Sequence, residues 1–161
     1  MKSAAFMGFA LALGTLGLSA CGDGESEAPS EAAPEAPAGI AVSNGRLVLP
    51  PVKGNPGAVY FDIANNGRAG TAIAAASVEG AGNAMLHTAV QTGGVASMAE
   101  MDSVPLAQGA AVAFAPGGNH VMAMNLADTL KVGDSVEVTV TFADGDKVSF
   151  PAEVRAPGDG D

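Results

Sequence analysis

His87, Met98, His120 and Met122 are spaced as His, ten residues, Met, twenty-one residues, His-x-Met. Two imidazoles and two thioethers make a soft, electron-rich donor set that suits Cu(I) and is poor for Mg²⁺, Ca²⁺ or Zn²⁺. Seven methionines are present: Met1 and Met7 stand near the N-terminus, and the other five fall between residues 85 and 124 with both histidines. A lone Met in an extended segment ordinarily fills a gap in a core. Five of them gathered with two His point instead to a donor cluster. The alternative is that the methionines pack the core and the histidines are incidental surface groups.

Cys21 is the only cysteine. A blue-copper electron-transfer site needs a Cys thiolate beside its histidines, so the absent thiolate argues for carrying a metal ion rather than cycling its oxidation state. With neutral ligands the charge of the site is the ion's own, and ligand-by-ligand exchange with a partner needs few proton movements. Imidazole must be unprotonated to bind, so affinity is expected to fall below about pH 6.

Strands must position these residues. Residues two apart on a strand share a face and stand roughly 6.6–6.8 Å apart, so His120 and Met122 can offer a nitrogen and a sulfur to one ion while Val121 points away. Pro116-Gly117-Gly118 precedes them as a turn and places the pair near a strand end. Met124 continues that face, Met85 stands in the same relation to His87, and Met101 lies three residues beyond Met98. These three are candidate auxiliary sulfurs, with core packing as an equal alternative for each.

The rest of the folded part reads as all-β. Gly and Pro punctuate it every eight to twelve residues, with no sustained 3.6-residue apolar period. Arg46 to Leu49 closes a first strand against Pro50-Pro51, and Ala58 to Ala64 alternates until the turn Asn65-Asn66-Gly67. Ala-rich Thr71 to Val78 is bounded by Gly70 and Gly80, which favours a strand over a helix. Ala84 to Thr92 is another strand, and Gly93-Gly94 turns it into Val95 to Met101. Val136, Val138, Val140 and Phe142 alternate with Glu137, Thr139 and Thr141, and Asp144-Gly145 then turns the chain into Lys147 to Phe150, a hairpin with one buried and one wet face. Seven to nine short strands at this spacing imply a single-domain sandwich or Greek-key barrel.

The N-terminus is an appendage. Lys2 precedes an apolar stretch, Ala4 to Leu18, that is too short and too rich in Gly and Ala to span a bilayer well. It ends in Leu18-Ser19-Ala20-Cys21, which resembles the lipobox of bacterial lipoproteins. That resemblance implies a signal peptide over residues 1–20 and lipidation at Cys21, with an ordinary secretory signal as the alternative. Through residue 39 the chain is rich in Glu, Pro and Ala, and between Gly22 and Gly39 it has no Lys or Arg. Such a segment cannot bury enough apolar surface to offset its ordering entropy and is expected to be a flexible tether. The folded domain is then residues 40–156, followed by a short tail, 157–161. The net charge of −10 belongs partly to the tether, since Ile40 to Ala156 holds ten acids and six bases. With no basic groove, few aromatic residues and no Trp, nucleic-acid binding is disfavoured.

Leu86-His87-Thr88, Gly94-Val95, Met98 and Pro116-Gly117-Gly118-Asn119-His120-Val121-Met122 together resemble the periplasmic CuA chaperone family, PCuAC, and match its hallmark spacing without insertion or deletion. Tyr60 to Asn65 and Val132-Gly133-Asp134 agree with flanking pieces of that family. The resemblance covers roughly Gly39 to Val154. It implies a cupredoxin-like Greek-key β-barrel with one Cu(I) on His87, Met98, His120 and Met122, and delivery of copper to the CuA site of cytochrome c oxidase subunit II, alongside Sco-type proteins. Some members carry a His/Met-rich C-terminal tail for a second copper; Ala156 to Asp161 contains neither residue, so tail-assisted Cu(II) binding is not expected.

Three readings follow. The first is a lipid-anchored, monomeric, extracytoplasmic Cu(I) chaperone of the bacterial periplasm. The second is a copper buffer or resistance protein without a specific client. The third is a β-sandwich interaction lipoprotein whose His and Met are structural. An enzyme is disfavoured, because histidines committed to a metal leave no imidazole base for a hydrolytic triad.

Overall fold

The computed structural model describes residues 36–158 apart from Arg68. The expected signal peptide, Cys21 and the expected tether as far as residue 35 lie outside the described residues. Ten strands follow in order: β1 (Ile40–Val48), β2 (Gly57–Asn65), β3 (Thr71–Val78), β4 (Ala81–Thr92), β5 (Val95–Glu100), β6 (Val104–Leu106), β7 (Ala111–Phe114), β8 (Asn119–Leu126), β9 (Ser135–Phe142) and β10 (Lys147–Arg155). The described residues contain no helix, and therefore none long and apolar enough to cross a membrane. The Ala-rich segment is the strand β3, since Ile73 and Val78 on it are buried.

Hydrogen-bonded neighbours run β5-β4-β8-β7-β2-β1-β10-β9-β3-β6, and β8 also pairs directly with β2. Strand β2 shares one edge between two partners, its first half pairing with β8 and its second half with β7. The β1–β10 pair is parallel, which a chain of consecutive hairpins cannot produce. The ribbon folds over into a β-sandwich. Inward-facing Val59, Phe61 and Ile63 of β2 alternate with half-buried Ala58, Tyr60 and Asp62, the period-two pattern of a sheet with one dry face. Phe61 stacks on Phe114 of β7 with ring centroids 4.3 Å apart and meets Phe150 of β10 at 4.9 Å, bridging the layers.

The strand count exceeds the expected seven to nine because of β6 and β7, which have three and four residues. That is too short for alternation to register in the sequence. Fully buried Asn65 ends β2 by donating from Nδ2 to the carbonyls of Ala69 (3.2 Å) and Leu106 (3.5 Å), which ties β2 to β6.

Candidate metal centre

Strands β4, β5 and β8 carry every sequence-selected donor except Met101, which follows the end of β5. The β4–β5 connection has only two residues, Gly93 and Gly94, with φ of 61° and 81° between the paired Thr92 and Val95. Both torsions lie in the left-handed region, the geometry of a type I′ turn, where glycine avoids the strain a Cβ would bring. This turn sets the register that opposes His87 to Glu100 and Ala89 to Met98. On the other side of β4, His87 opposes His120 and Met85 opposes Met122.

Strand alternation sorts the side chains. Leu86, Val121 and Ala123 enter the core, so Met85, His87, His120, Met122 and Met124 belong to the opposite, outer face. Outer-face positions are ordinarily wet. Yet His87 is only 8% exposed and His120 only 5%. Their rings meet edge to face, with centroids 5.9 Å apart and planes at 64°.

Next to His120 stands Tyr60 of β2, with ring centroids 6.4 Å apart, and the Arg46 guanidinium lies 5.0 Å from the centre of the Tyr60 ring. A bulge in β1 between Ser43 and Arg46 helps set that contact. Gly45 within it has no room for a side chain, since a Cβ would stand 2.6 Å from the Pro151 carbonyl oxygen. Sequence reading did not single out Tyr60 or Arg46. Their link to the site exists only through the β2–β8 pairing, which no local pattern encodes.

The hydrogen bonding of the two rings is incomplete in a specific way. His120 Nδ1–H donates to the Gly118 carbonyl at 3.1 Å. A carbonyl oxygen only accepts, so the proton of the neutral ring sits on Nδ1 and the lone pair on Nε2. That Nε2, together with both ring nitrogens of His87, is buried with no hydrogen-bond partner among the described residues. Leaving a buried polar atom unpaired costs about 1–3 kcal/mol. Nitrogen lone pairs held this way, one oriented by a backbone carbonyl behind it, are the arrangement found around metal-ligating histidines. No group of three or more His, Cys, Asp or Glu among the described residues could hold a metal, and the soft side chains beside the histidine pair are thioethers.

The methionines differ in access. Met85 and Met122 are half-buried on the outer face next to the histidines, while Met98 on the outermost strand β5 is 63% exposed. Met124 shares the face but opposes Asn83, two register steps beyond the histidine pair. Met101 packs against the hydrophobic core, and its N–H donates to the Leu86 carbonyl at 2.9 Å. The structure therefore brings together His87, His120, Met85 and Met122, holds Met98 at the margin, and sets Met101 and Met124 apart.

Comparison with known proteins places these features in a family context. The family model LpqE-like, which describes lipoproteins of that type, matches residues 40–154. A relative in Leifsonia xyli subsp. xyli (strain CTCB07), named as the lipoprotein Lxx21020, is 33% identical over 89 residues, which are 55% of this chain and 54% of that protein. The match thus spans about half the length of this curated relative. Among solved structures, the apo PCuAC domain from PmoF1 is 26% identical with a TM-score of 0.60, covering 74% of this chain and 95% of that one. The solution structure of CuI-DR1885 from Deinococcus radiodurans is 27% identical with a TM-score of 0.57, covering 76% and 80%. The copper-bound PCuAC domain from PmoF2 shares the fold, with a TM-score of 0.61 at 21% identity over 74% and 94% of the two chains.

Proposed function

The chain belongs to the LpqE-like family, and from that membership and the histidine geometry we propose that it is an extracytoplasmic copper chaperone that carries Cu(I) on His87, His120, Met122 and Met98. The observation that carries this reading is the facing pair of sheltered imidazoles, with three ring nitrogens unpaired and methionines around them. A soft monovalent ion would take the lone pair of His120 Nε2 and that of one His87 nitrogen without bringing in a thiolate or carboxylate. Solved PCuAC domains with the same fold, one of them CuI-DR1885, support copper as the cargo.

The donors divide the work of transport. His120 is held in the correct tautomer by Gly118, so its Nε2 lone pair is available without rearrangement. Met98, exposed on an outermost strand, is the donor an incoming protein meets first. Transfer then proceeds by replacing one neutral ligand at a time, with few proton movements and without an enzymatic step. Cys21 would carry the lipid anchor, and residues 22–39 would tether the domain to the membrane.

The client we propose is the CuA site of cytochrome c oxidase subunit II, directly or through a Sco-type protein. The test combines binding and delivery. Cu(I) is titrated against a competing chelator in wild type and in His87→Ala, Met98→Ala, His120→Ala and Met122→Ala, and copper-loaded protein is then mixed with the apo CuA domain. Weakened binding in the variants and stoichiometric delivery to CuA are expected. Binding without delivery would make the chain a copper buffer. Wild-type affinity in the histidine variants would leave an interaction lipoprotein whose His and Met are structural.

A further inference from the structure

His87, His120, Met85 and Met122 stand at the corners of one rectangle. Register pairs the two histidines across β4 and β8 and pairs the two methionines one step further along. Sheet geometry makes the rectangle about 4.8 Å across the strands and about 6.8 Å along them. One ion above its centre is within side-chain reach of all four corners.

Met98 stands outside that rectangle. It opposes Ala89 on the far side of the histidine row from Met122. Two strand spacings and four residues of rise separate Met98 from Met122, about 10 Å by about 13.5 Å on the sheet lattice. Strand twist bends this lattice without changing the order of the distances. Exposure follows the same order, with Met98 at 63% and Met85 half-buried. The four donors picked out by spacing therefore include two sulfurs on opposite sides of the histidines, while a third sulfur, Met85, lies inside the block.

We propose that Met85 is a copper ligand that shares the fourth coordination position with Met98: either sulfur completes the set, Met85 from the sheltered side and Met98 from the exposed one, and the two exchange as the ion enters or leaves. This rests on the copper reading above. In the exchange the Cu–S bond to Met85 breaks as the Cu–S bond to Met98 forms. Both thioethers are neutral, so no proton or electron moves and the ion stays Cu(I). Its sulfur then sits on the outermost strand, where a ligand from a partner protein can displace it in turn.

The test uses the full chain loaded anaerobically with Cu(I), as wild type, Met85→Leu, Met98→Leu and the double variant. X-ray absorption counts the sulfurs on copper, and a chromophoric Cu(I) chelator reports affinity and release rate. Leu keeps the side-chain volume close to that of Met, which limits disturbance of the sheet. Two sulfurs are expected in wild type and in each single variant, and one in the double variant. Affinity should fall less than about tenfold in either single variant and by about a hundredfold or more in the double, the non-additivity of two groups that replace each other. Release to the chelator should slow in Met98→Leu and not in Met85→Leu. One sulfur in Met98→Leu, or a double variant that binds as Met98→Leu does, would overturn the role of Met85. Wild-type affinity in His120→Ala and Met122→Ala would instead overturn the copper site itself, so the two failures are distinguishable.

Discussion

His87 and His120 face each other across adjacent strands, with ring centroids 5.9 Å apart, and only one of their four ring nitrogens has a hydrogen-bond partner among the described residues. They lie on the sheet face turned away from the core, yet they are almost fully buried. Such a pair does not arise from core packing, where an aliphatic residue would serve without leaving polar atoms unpaired. Its position next to half-buried Met85 and Met122 makes the unpaired nitrogens one side of a donor set.

A stability measurement separates this reading from a structural role. His87→Leu removes two unpaired buried nitrogens and keeps an apolar side chain in the site. The apo protein is expected to gain about 1 kcal/mol in urea unfolding, since relieving an unsatisfied polar group is favourable. Cu(I) affinity should collapse in the same variant. A clear loss of apo stability would show instead that the imidazole supports the fold.

Cu(I) affinity should fall as pH falls. Copper-bound rings carry no proton on the coordinating nitrogen, so a ring protonated in the apo protein must release that proton before binding. Competition titrations between about pH 5 and 8 measure this dependence. An affinity constant across that range would mean that the histidines do not bind the ion.

Local patterns revealed strands and candidate donors but not the contacts between them. Alternation along β9 and β10 and the Gly93-Gly94 turn were readable because each is encoded within a few consecutive residues. The shared face of His120 and Met122 followed from strand geometry alone. That His87 would stand opposite His120 did not, because the β4–β8 pairing joins segments some thirty residues apart through register. The same non-locality concealed Tyr60 beside His120, and it concealed the difference between Met85, inside the donor block, and Met101, turned to the core. Five methionines that look equivalent in sequence occupy different surroundings for this reason.

Core and site should fail independently. Phe61 is fully buried, stacks on Phe114 and meets Phe150 across the sandwich. Phe61→Ala is expected to cost about 3–5 kcal/mol of stability through lost contacts and a cavity. Those protein molecules that remain folded should keep wild-type Cu(I) affinity, because Phe61 faces the opposite side of the sheet from the histidines. A matching loss of affinity, measured where chemical unfolding shows the variant to be native, would couple the two layers.

Tyr60 closes one flank of the site. Its ring lies 6.4 Å from that of His120 and carries the Arg46 guanidinium 5.0 Å from its centre, so the pair forms a wall beside the donor cluster. Such a wall would limit water and dioxygen around a bound Cu(I) ion. Tyr60→Phe keeps the ring and should oxidise in air at the wild-type rate. Tyr60→Ala opens the flank and should oxidise several-fold faster, with Cu(II) followed by its electron paramagnetic resonance signal in copper-loaded protein. Equal rates in all three proteins would assign Tyr60 to packing alone. Faster oxidation in Tyr60→Phe as well would place the protection in the phenol oxygen rather than in the ring.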